Sequence, residues 1–595
     1  MIETLRRNAD GAVRIRRVGL AASCVLALIA PLAAQAPEDA DTAGQVALLS
    51  AKLRVRVLNG RQIELEARAA EEDDHAAIAA WVAGGASDAA AIAAWNDGRP
   101  LEEGTWVRVP FNLLSGAYRL LVLSNLFPGD THDENDWLHV VGSSELQLYD
   151  EGLWQVAEWF TGRGDSFPAL LRANGLSSPE LRAGQRIRIP ADLLHPALRA
   201  ALPSDGSPLV FRTDAQGPYA GYRLRAGEAL YSAVVVQFTG RTGADDVGKL
   251  AEILRERSKI RDLRDIPVGY EIRIPLDLLE PEFLPPSHPR RKKAEESERE
   301  LARELARQPV TGTRGGLAGV LVVLDAGHGG KDLGTMNNGI WEHDYVYDVT
   351  CRLKQRLERE TSARVMLTLI DKKTGCRPSS GDKLEANRQG TIQTTPSFLA
   401  RRDGEARVGV NLRWYLANSI YRQALRDGVD ADRVVFVSLH ADSRHASLSG
   451  VMVYVPGAEY RTRTYGHTGA DYDAYKEVKE KTHVRFSKKQ RVRSEAVSRR
   501  FADSVIEAFR QHDLPVQAHQ PVRHRIIRGK NRFVPAVLRG NAIPNKVLIE
   551  MLNLSNPDDA ALLASRARRQ QLSDALFASL FDHFGEEPTR IAESR

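Results

Sequence analysis

Three apolar runs in the second half of the chain each stop at a residue able to bind a metal or move a proton. Val320-Leu321-Val322-Val323-Leu324 leads into Asp325-Ala326-Gly327-His328-Gly329-Gly330-Lys331-Asp332. Val434-Val435-Phe436-Val437-Ser438-Leu439 ends in His440-Ala441-Asp442, and Lys546-Val547-Leu548-Ile549 ends in Glu550. Short apolar runs without alternation are the pattern of strands buried on both faces. Helical spacing lies between them: after Trp341-Glu342-His343 come Val346, Val349, Leu353 and Leu357. From about Gly319 the chain therefore alternates strands with amphipathic helices, the mark of an α/β layer fold, which places its sites at the C-terminal ends of its strands.

Gly330-Lys331 invites comparison with a phosphate loop, but Asp325 stands where the first glycine belongs and Asp332 where Ser or Thr is required. The glycines are better read as letting the backbone turn tightly to present His328. Two histidines and two glutamates at the edges of buried elements make the inventory of a zinc hydrolase: three N/O ligands, an open position for water and a nearby carboxylate. His343 is a decoy, since a helical neighbour of Glu342 points about a quarter-turn away. His445 and His524 lack motif context and are expected at the surface.

Together these blocks resemble the zinc-dependent N-acetylmuramoyl-L-alanine amidase family, over roughly Gly319 to Phe584. The resemblance rests on Val323 to Gly330, Glu342, Ser438-Leu439-His440-Ala441 and Val547-Leu548-Ile549-Glu550, in that order. It implies a twisted, largely parallel sheet flanked by helices, with His328, Glu342 and His440 as ligands of Zn2+ and Glu550 as the catalytic carboxylate. Arg413 with Ala417-Asn418 resembles a further helical block, and Val537-Leu538-Arg539 a strand before the last. Asp442 replaces the family's usual Asn, and Lys372 to Val410 and Gly457 to Arg493 exceed the family core. In some division amidases a helix inserted after the second His block covers the zinc until a protein activator displaces it. Asp471 to Lys481 is a candidate for such a helix, with Glu477 or Glu480 as a plug; a solvated insertion is the alternative.

The first half carries an internal repeat. Gly104-Thr105-Trp106-Val107-Arg108-Val109-Pro110, Gly184-Gln185-Arg186-Ile187-Arg188-Ile189-Pro190 and Gly269-Tyr270-Glu271-Ile272-Arg273-Ile274-Pro275 each read as a turn glycine, a strand alternating apolar and Arg, and a proline that ends pairing. Phe160-Thr161-Gly162-Arg163 recurs as Phe238-Thr239-Gly240-Arg241 at the end of a helix-like stretch. With strand candidates at Leu138 to Val141 and Tyr222 to Arg225, the unit is strand, helix, helix, strand. It resembles the LysM module, a small βααβ domain that binds glycans containing N-acetylglucosamine. The copies fall at 53–116 (eroded, keeping Trp95-Asn96), 137–198 (the best match) and 221–283. A charged stretch at 284–318 reads as a semi-rigid linker, with Glu295 above Arg299 and Glu300 above Arg303. The catalytic domain then occupies 319–586.

A chain of 595 residues exceeds one hydrophobic core, so a multidomain protein is expected. Its net charge of +5 is too weak to argue for nucleic acid. Arg14, Arg16 and Arg17 precede an apolar run from Val18 to Leu32, and Ala34-Gln35-Ala36 supplies a small-x-small cleavage site. Residues 1–36 thus read as a secretory signal peptide, with no later segment apolar enough to span a bilayer. A membrane anchor fits less well because the run is short and Pro31 interrupts it. The two remaining cysteines, Cys351 and Cys376, are compatible with a disulfide or with two separate thiols.

The expected protein is a periplasmic or extracellular peptidoglycan hydrolase, cleaving the amide between N-acetylmuramic acid and L-alanine, with repeats that target the wall. The rivals are a cell-wall peptidase on the same scaffold and a non-catalytic wall-binding protein.

Overall fold

A computed structural model describes residues 45–585 apart from 84, 133–135, 145, 147, 149–151, 200–207, 308–316, 338 and 403. The signal-peptide reading at 1–36 lies outside the described residues.

Each repeat closes a small antiparallel sheet around two helical segments. In the first, strand Gln62–Arg68 pairs with Trp106–Pro110 around helices His75–Val82 and Ala89–Trp95. In the second, Asp136–Val140 pairs with Arg186–Pro190 around Leu153–Thr161 and Phe167–Ala173. In the third, Gly217–Arg223 pairs with Glu271–Pro275 around Leu230–Thr239 and Ala244–Ser258. The recurrent sequence explains the closing strand. Gly104, Gly184 and Gly269 take φ of +85°, +80° and +87°, a left-handed turn that other residues resist. Beyond it the alternation splits the faces: Ile187 and Ile189 are fully buried while Arg186 and Arg188 are exposed. The copies exceed a bare βααβ unit because extra strands join their sheets, Gln45–Leu48 and Leu53–Leu58 in the first, Thr131–His132 in the second and Leu209–Asp214 in the third.

The C-terminal half is built on a six-stranded sheet in the order Arg364–Leu367, Leu321–Ala326, Val434–His440, Asn545–Glu550, Met452–Tyr454, Val522–Arg523. Its pairings are parallel except that between Met452–Tyr454 and Asn545–Glu550. Alternate side chains face opposite layers. Val322, Leu324, Val435, Val437, Val547 and Ile549 pack against helices Glu342–Glu360, Lys488–Gln511 and Arg566–Phe584. Leu321, Val323, Phe436 and Leu548 pack against Ala417 and Ala424 of helix Glu405–Arg426. Burial on both faces is why these strands carry no polar alternation. The expected strand at Val537-Leu538-Arg539 is instead a helical turn, Ala536–Arg539, capped by Pro535 and ended by Gly540.

The long segments of this half are packed. Cys351 and Cys376 form a disulfide with Cα atoms 5.2 Å apart, which ties the segment after strand Leu369–Asp371 to helix Glu342–Glu360. Tyr347 reinforces the tie, donating to the Gly375 carbonyl at 3.0 Å and accepting from the Asp371 N–H at 2.9 Å. Within the 457–493 insertion Tyr472, Val478, Val484 and Phe486 are buried with Leu369, Ile392 and Trp414, so this segment is neither solvated nor free. The charged stretch expected as a linker contains helix Pro289–Arg307, and this helix is docked. Leu301 is buried against Val492 and Ala496, while Glu298 pairs with Arg499 at 2.9 Å and Glu300 with Lys488 at 2.8 Å. Among the described residues no helix is long and apolar enough to cross a membrane.

Candidate active site

The strand ends converge. His328 follows strand Leu321–Ala326, His440 ends Val434–His440, and Glu550, paired in register with His440, ends Asn545–Glu550. Glu342 is the first residue of helix Glu342–Glu360. One ligand atom from each of His328, Glu342 and His440 can be chosen so that all lie within 4.8 Å of one another.

The loop around His328 is tightly built. His328 takes φ +66°, a strained value for a non-glycine residue, and such strain persists only where surroundings over-determine it. Arg413 does much of this: its guanidinium donates to Asp325 Oδ1 at 2.6 Å and to the His328 carbonyl. Asp325 is itself buried and accepts from Thr368 and, at 2.7 Å, from Ser438. Removing one partner from such a buried pair typically costs about 3–5 kcal/mol. Two glycines make the approach possible. A Cβ on Gly327 would sit 2.4 Å from His440 Cε1, and one on Gly334 2.5 Å from Glu342 Oε2.

Glu342 is buried between the histidines. Its Oε2 is 3.2 Å from His328 Nε2 and accepts from the Thr335 N–H at 3.0 Å. Its Oε1 is 3.0 Å from His440 Nδ1 and accepts from the Ala441 N–H at 3.1 Å. Burial opposes charge on Glu342 and on His328, yet the His328 imidazolium holds the Glu342 carboxyl well below its ordinary range. Glu342 and Asp332 in turn hold His328 up at about 10 against its own burial. The cluster is thus a site for positive charge. Two imidazoles and one carboxylate are also the donor set of a tetrahedral zinc site with its fourth position open, so these residues fit the metal.

Glu550 stands beside this cluster, 8% exposed, and among the described residues its Oε2 has no hydrogen-bond partner. Burial pushes its carboxyl well up, the negative charge of Asp442 adds to this, and Arg444 opposes both. Arg444 Nη2 lies 2.6 Å from Asp442 Oδ2 and 3.6 Å from Glu550 Oε1. The acidic Asp442 therefore comes with a paired cation that an Asn would not need.

The remaining expected residues divide. His343 points away from the cluster, as helical geometry requires; its Nδ1 is 3.2 Å from the Gly327 carbonyl and burial lowers its pKa to about 4. Asn418 ties helix Glu405–Arg426 to the segment that leads into strand Asn545–Glu550, donating to the Gly540 carbonyl and accepting from the Ala542 N–H. Glu477 and Glu480 are engaged away from the cluster. Glu477 accepts from the Thr395 N–H at 3.0 and 3.1 Å, and Glu480 pairs with Arg422 at 2.6 Å. Neither acts as a plug, because each carboxylate is satisfied elsewhere, Glu477 buried on a backbone donor and Glu480 exposed on an arginine. His445 and His524 are half-buried rather than surface groups: each stacks on a tyrosine, Tyr231 and Tyr460 respectively. Sequence reasoning missed Asp332, whose Oδ1 is 2.9 Å from His328 Nδ1, and Arg444, whose partner Glu550 lies on a distant segment. The first had a signal in its spacing from His328; the second had none.

The sequence model of the N-acetylmuramoyl-L-alanine amidase family matches residues 322–582, and that of the LysM domain matches 151–190. No curated protein sequence matches the chain. Among solved structures, the chain is similar to the N-acetylmuramyl-L-alanine amidase Ami1 from Mycobacterium smegmatis, at 19% identity and a TM-score of 0.28, covering 45% of this chain and 98% of that one. It is also similar to the CwlD amidase from Clostridioides difficile, solved in complex with the GerS lipoprotein, at 18% identity and a TM-score of 0.28, covering 44% and 98%. By the two sequence matches, residues 322–582 form an N-acetylmuramoyl-L-alanine amidase domain and residues 151–190 a LysM domain.

Proposed function

We propose that the protein is an exported zinc amidase that hydrolyses the bond between N-acetylmuramic acid and the L-alanine of the stem peptide. His328, Glu342 and His440 hold the metal and Glu550 is the catalytic carboxylate. The convergence of the first three beside a buried carboxylate with an unpartnered oxygen carries this reading. Zinc, when bound, supplies a Lewis acid that acidifies water and polarises the amide carbonyl. Glu550 accepts the proton of the attacking water and returns it to the leaving nitrogen, which an amide requires because its amine anion leaves poorly. Glu342, held by two backbone N–H groups, keeps both imidazoles in one orientation. The products are a lactyl carboxylate on the muramic acid and a free alanine amine.

Location follows from substrate: the reading puts the enzyme in the periplasm or outside the cell, with 1–36 as its export signal and the LysM domain holding it to the wall. A protein activator, if one acts on this chain, works by some means other than withdrawing Glu477 or Glu480. Digestion of purified wall tests the reading: new N-terminal alanine supports it, whereas new peptide termini within the stem would make the enzyme a peptidase. Wall left intact by a zinc-loaded chain would leave a binding protein only.

A further inference from the structure

The second and third repeats can be superposed on their shared Phe-Thr-Gly-Arg. This sets Leu153-Trp154 against Leu230-Tyr231 and Gly164 against Thr242, with one residue more between the landmarks in the third copy. That copy accommodates its extra residue as a π-helical turn, Leu230–Val236. The same corner then has two fates. In the second repeat Trp154 is 50% exposed. In the third, the corner grips the catalytic half. The Tyr231 ring stacks on His445 with centroids 4.8 Å apart. The Thr242 carbonyl accepts from the His445 N–H at 3.1 Å, and its hydroxyl accepts from Arg444 Nη1 at 3.0 Å. Leu448 is buried in the hydrophobic core of the repeats, and Arg523 donates to the Gly240 carbonyl at 2.8 Å.

Arg444 thus spans two domains, with Nη1 on Thr242 and Nη2 between Asp442 and Glu550. Its main-chain N–H is fixed by Asn553 Oδ1 at 2.9 Å. A guanidinium is planar, so anchoring one nitrogen orients the other. Without Thr242 the fork is free to turn wholly to Asp442, its shorter partner, and leave Glu550 unoriented.

We propose that Arg444 is a positioning residue for Glu550, and that the third repeat serves as the clamp holding Arg444 in place rather than as a glycan-binding module. This rests on the reading of Glu550 as the catalytic carboxylate.

The test uses the zinc-loaded full chain and a small soluble muropeptide, whose cleavage by the wild type checks the proposed function separately. Arg444→Ala is expected to lower kcat at least tenfold with KM within about twofold and zinc content unchanged, and Arg444→Lys to restore part of the loss. Thr242→Val, which removes only the hydroxyl acceptor, is expected to lower kcat several-fold and to add nothing to Arg444→Ala. It should also speed amide hydrogen exchange over 444–450. Wild-type kcat in Arg444→Ala overturns the positioning role. Additive losses in the double variant, or wild-type kcat and exchange in Thr242→Val, overturn the clamp. Should Arg444→Ala fail to fold, Arg444→Lys and Thr242→Val decide by the same readouts.

Discussion

His328 Nδ1 lies 2.9 Å from Asp332 Oδ1, which leaves Nε2 as the nitrogen turned toward Glu342, 3.2 Å away. A carboxylate behind a ligating imidazole fixes its tautomer and raises its basicity, and losing such a partner typically costs about 10–100-fold in metal affinity. Asp332→Ala should therefore weaken zinc binding by that factor while keeping the fold, as read by competition with a chelator. Unchanged affinity would reduce Asp332 to a loop contact.

The ligand assignment itself predicts one zinc per chain. His328→Ala and His440→Ala should each lose stoichiometric zinc after gel filtration, because a catalytic zinc site is held by three protein ligands and each variant keeps only two. Metal analysis showing wild-type zinc in both variants would remove the assignment.

Glu550→Gln should retain zinc and fold yet lose about 10²–10⁴-fold in turnover, since an amide accepts no proton at neutral pH. A variant within a few-fold of wild type on a soluble muropeptide would assign the base elsewhere.

How much of this was legible in the sequence depended on whether a feature was local. Strand ends at His328, His440 and Glu550 could be read because a strand buried on both faces leaves an unbroken apolar run. The repeats could be read because a turn glycine, two inward isoleucines or valines and a terminal proline recur. Tertiary partnerships left no such mark. Helix Pro289–Arg307 looks solvated because Leu301, buried within a run of charged residues, carries too little pattern to show a docking face. Glu477 looked like a free carboxylate because its partner, the Thr395 N–H, is backbone. Thr242 and Arg444, 202 positions apart, meet only once the domains have packed.

His583 predicts the direction of a pH effect. Burial lowers its pKa to about 4, and its Nε2 accepts from Asn545 Nδ2 at 2.9 Å, which only the neutral ring can do. The unfolded chain takes up this proton near pH 6.5. Between pH 6.5 and 4 the unfolded state therefore binds the extra proton, so the contribution is complete above about 6.5 and is lost as pH falls. His583→Gln should flatten the fall in unfolding free energy, measured by urea titration, between pH 7 and 4.5 by on the order of 1–2 kcal/mol, allowing for partial exposure of the ring. Parallel curves for variant and wild type would show that the ring is already charged in the fold.

The last prediction separates wall binding from chemistry. Trp154 is half exposed in the matched LysM domain, and its ring lies so close over Gly164 that a Cβ there would sit 2.3 Å from Cε2. The glycine leaves room for the ring, whose outer face is free to stack on a sugar, while the corresponding Tyr231 is already spent on His445. Trp154→Ala should therefore reduce co-sedimentation of the full chain with purified peptidoglycan several-fold. It should slow hydrolysis of insoluble wall at low enzyme concentration and leave cleavage of a small muropeptide unchanged, because tethering raises local concentration and not turnover. Undiminished co-sedimentation would move wall binding to another surface. Loss of activity on the small substrate would instead make the second repeat, like the third, a support for the catalytic half.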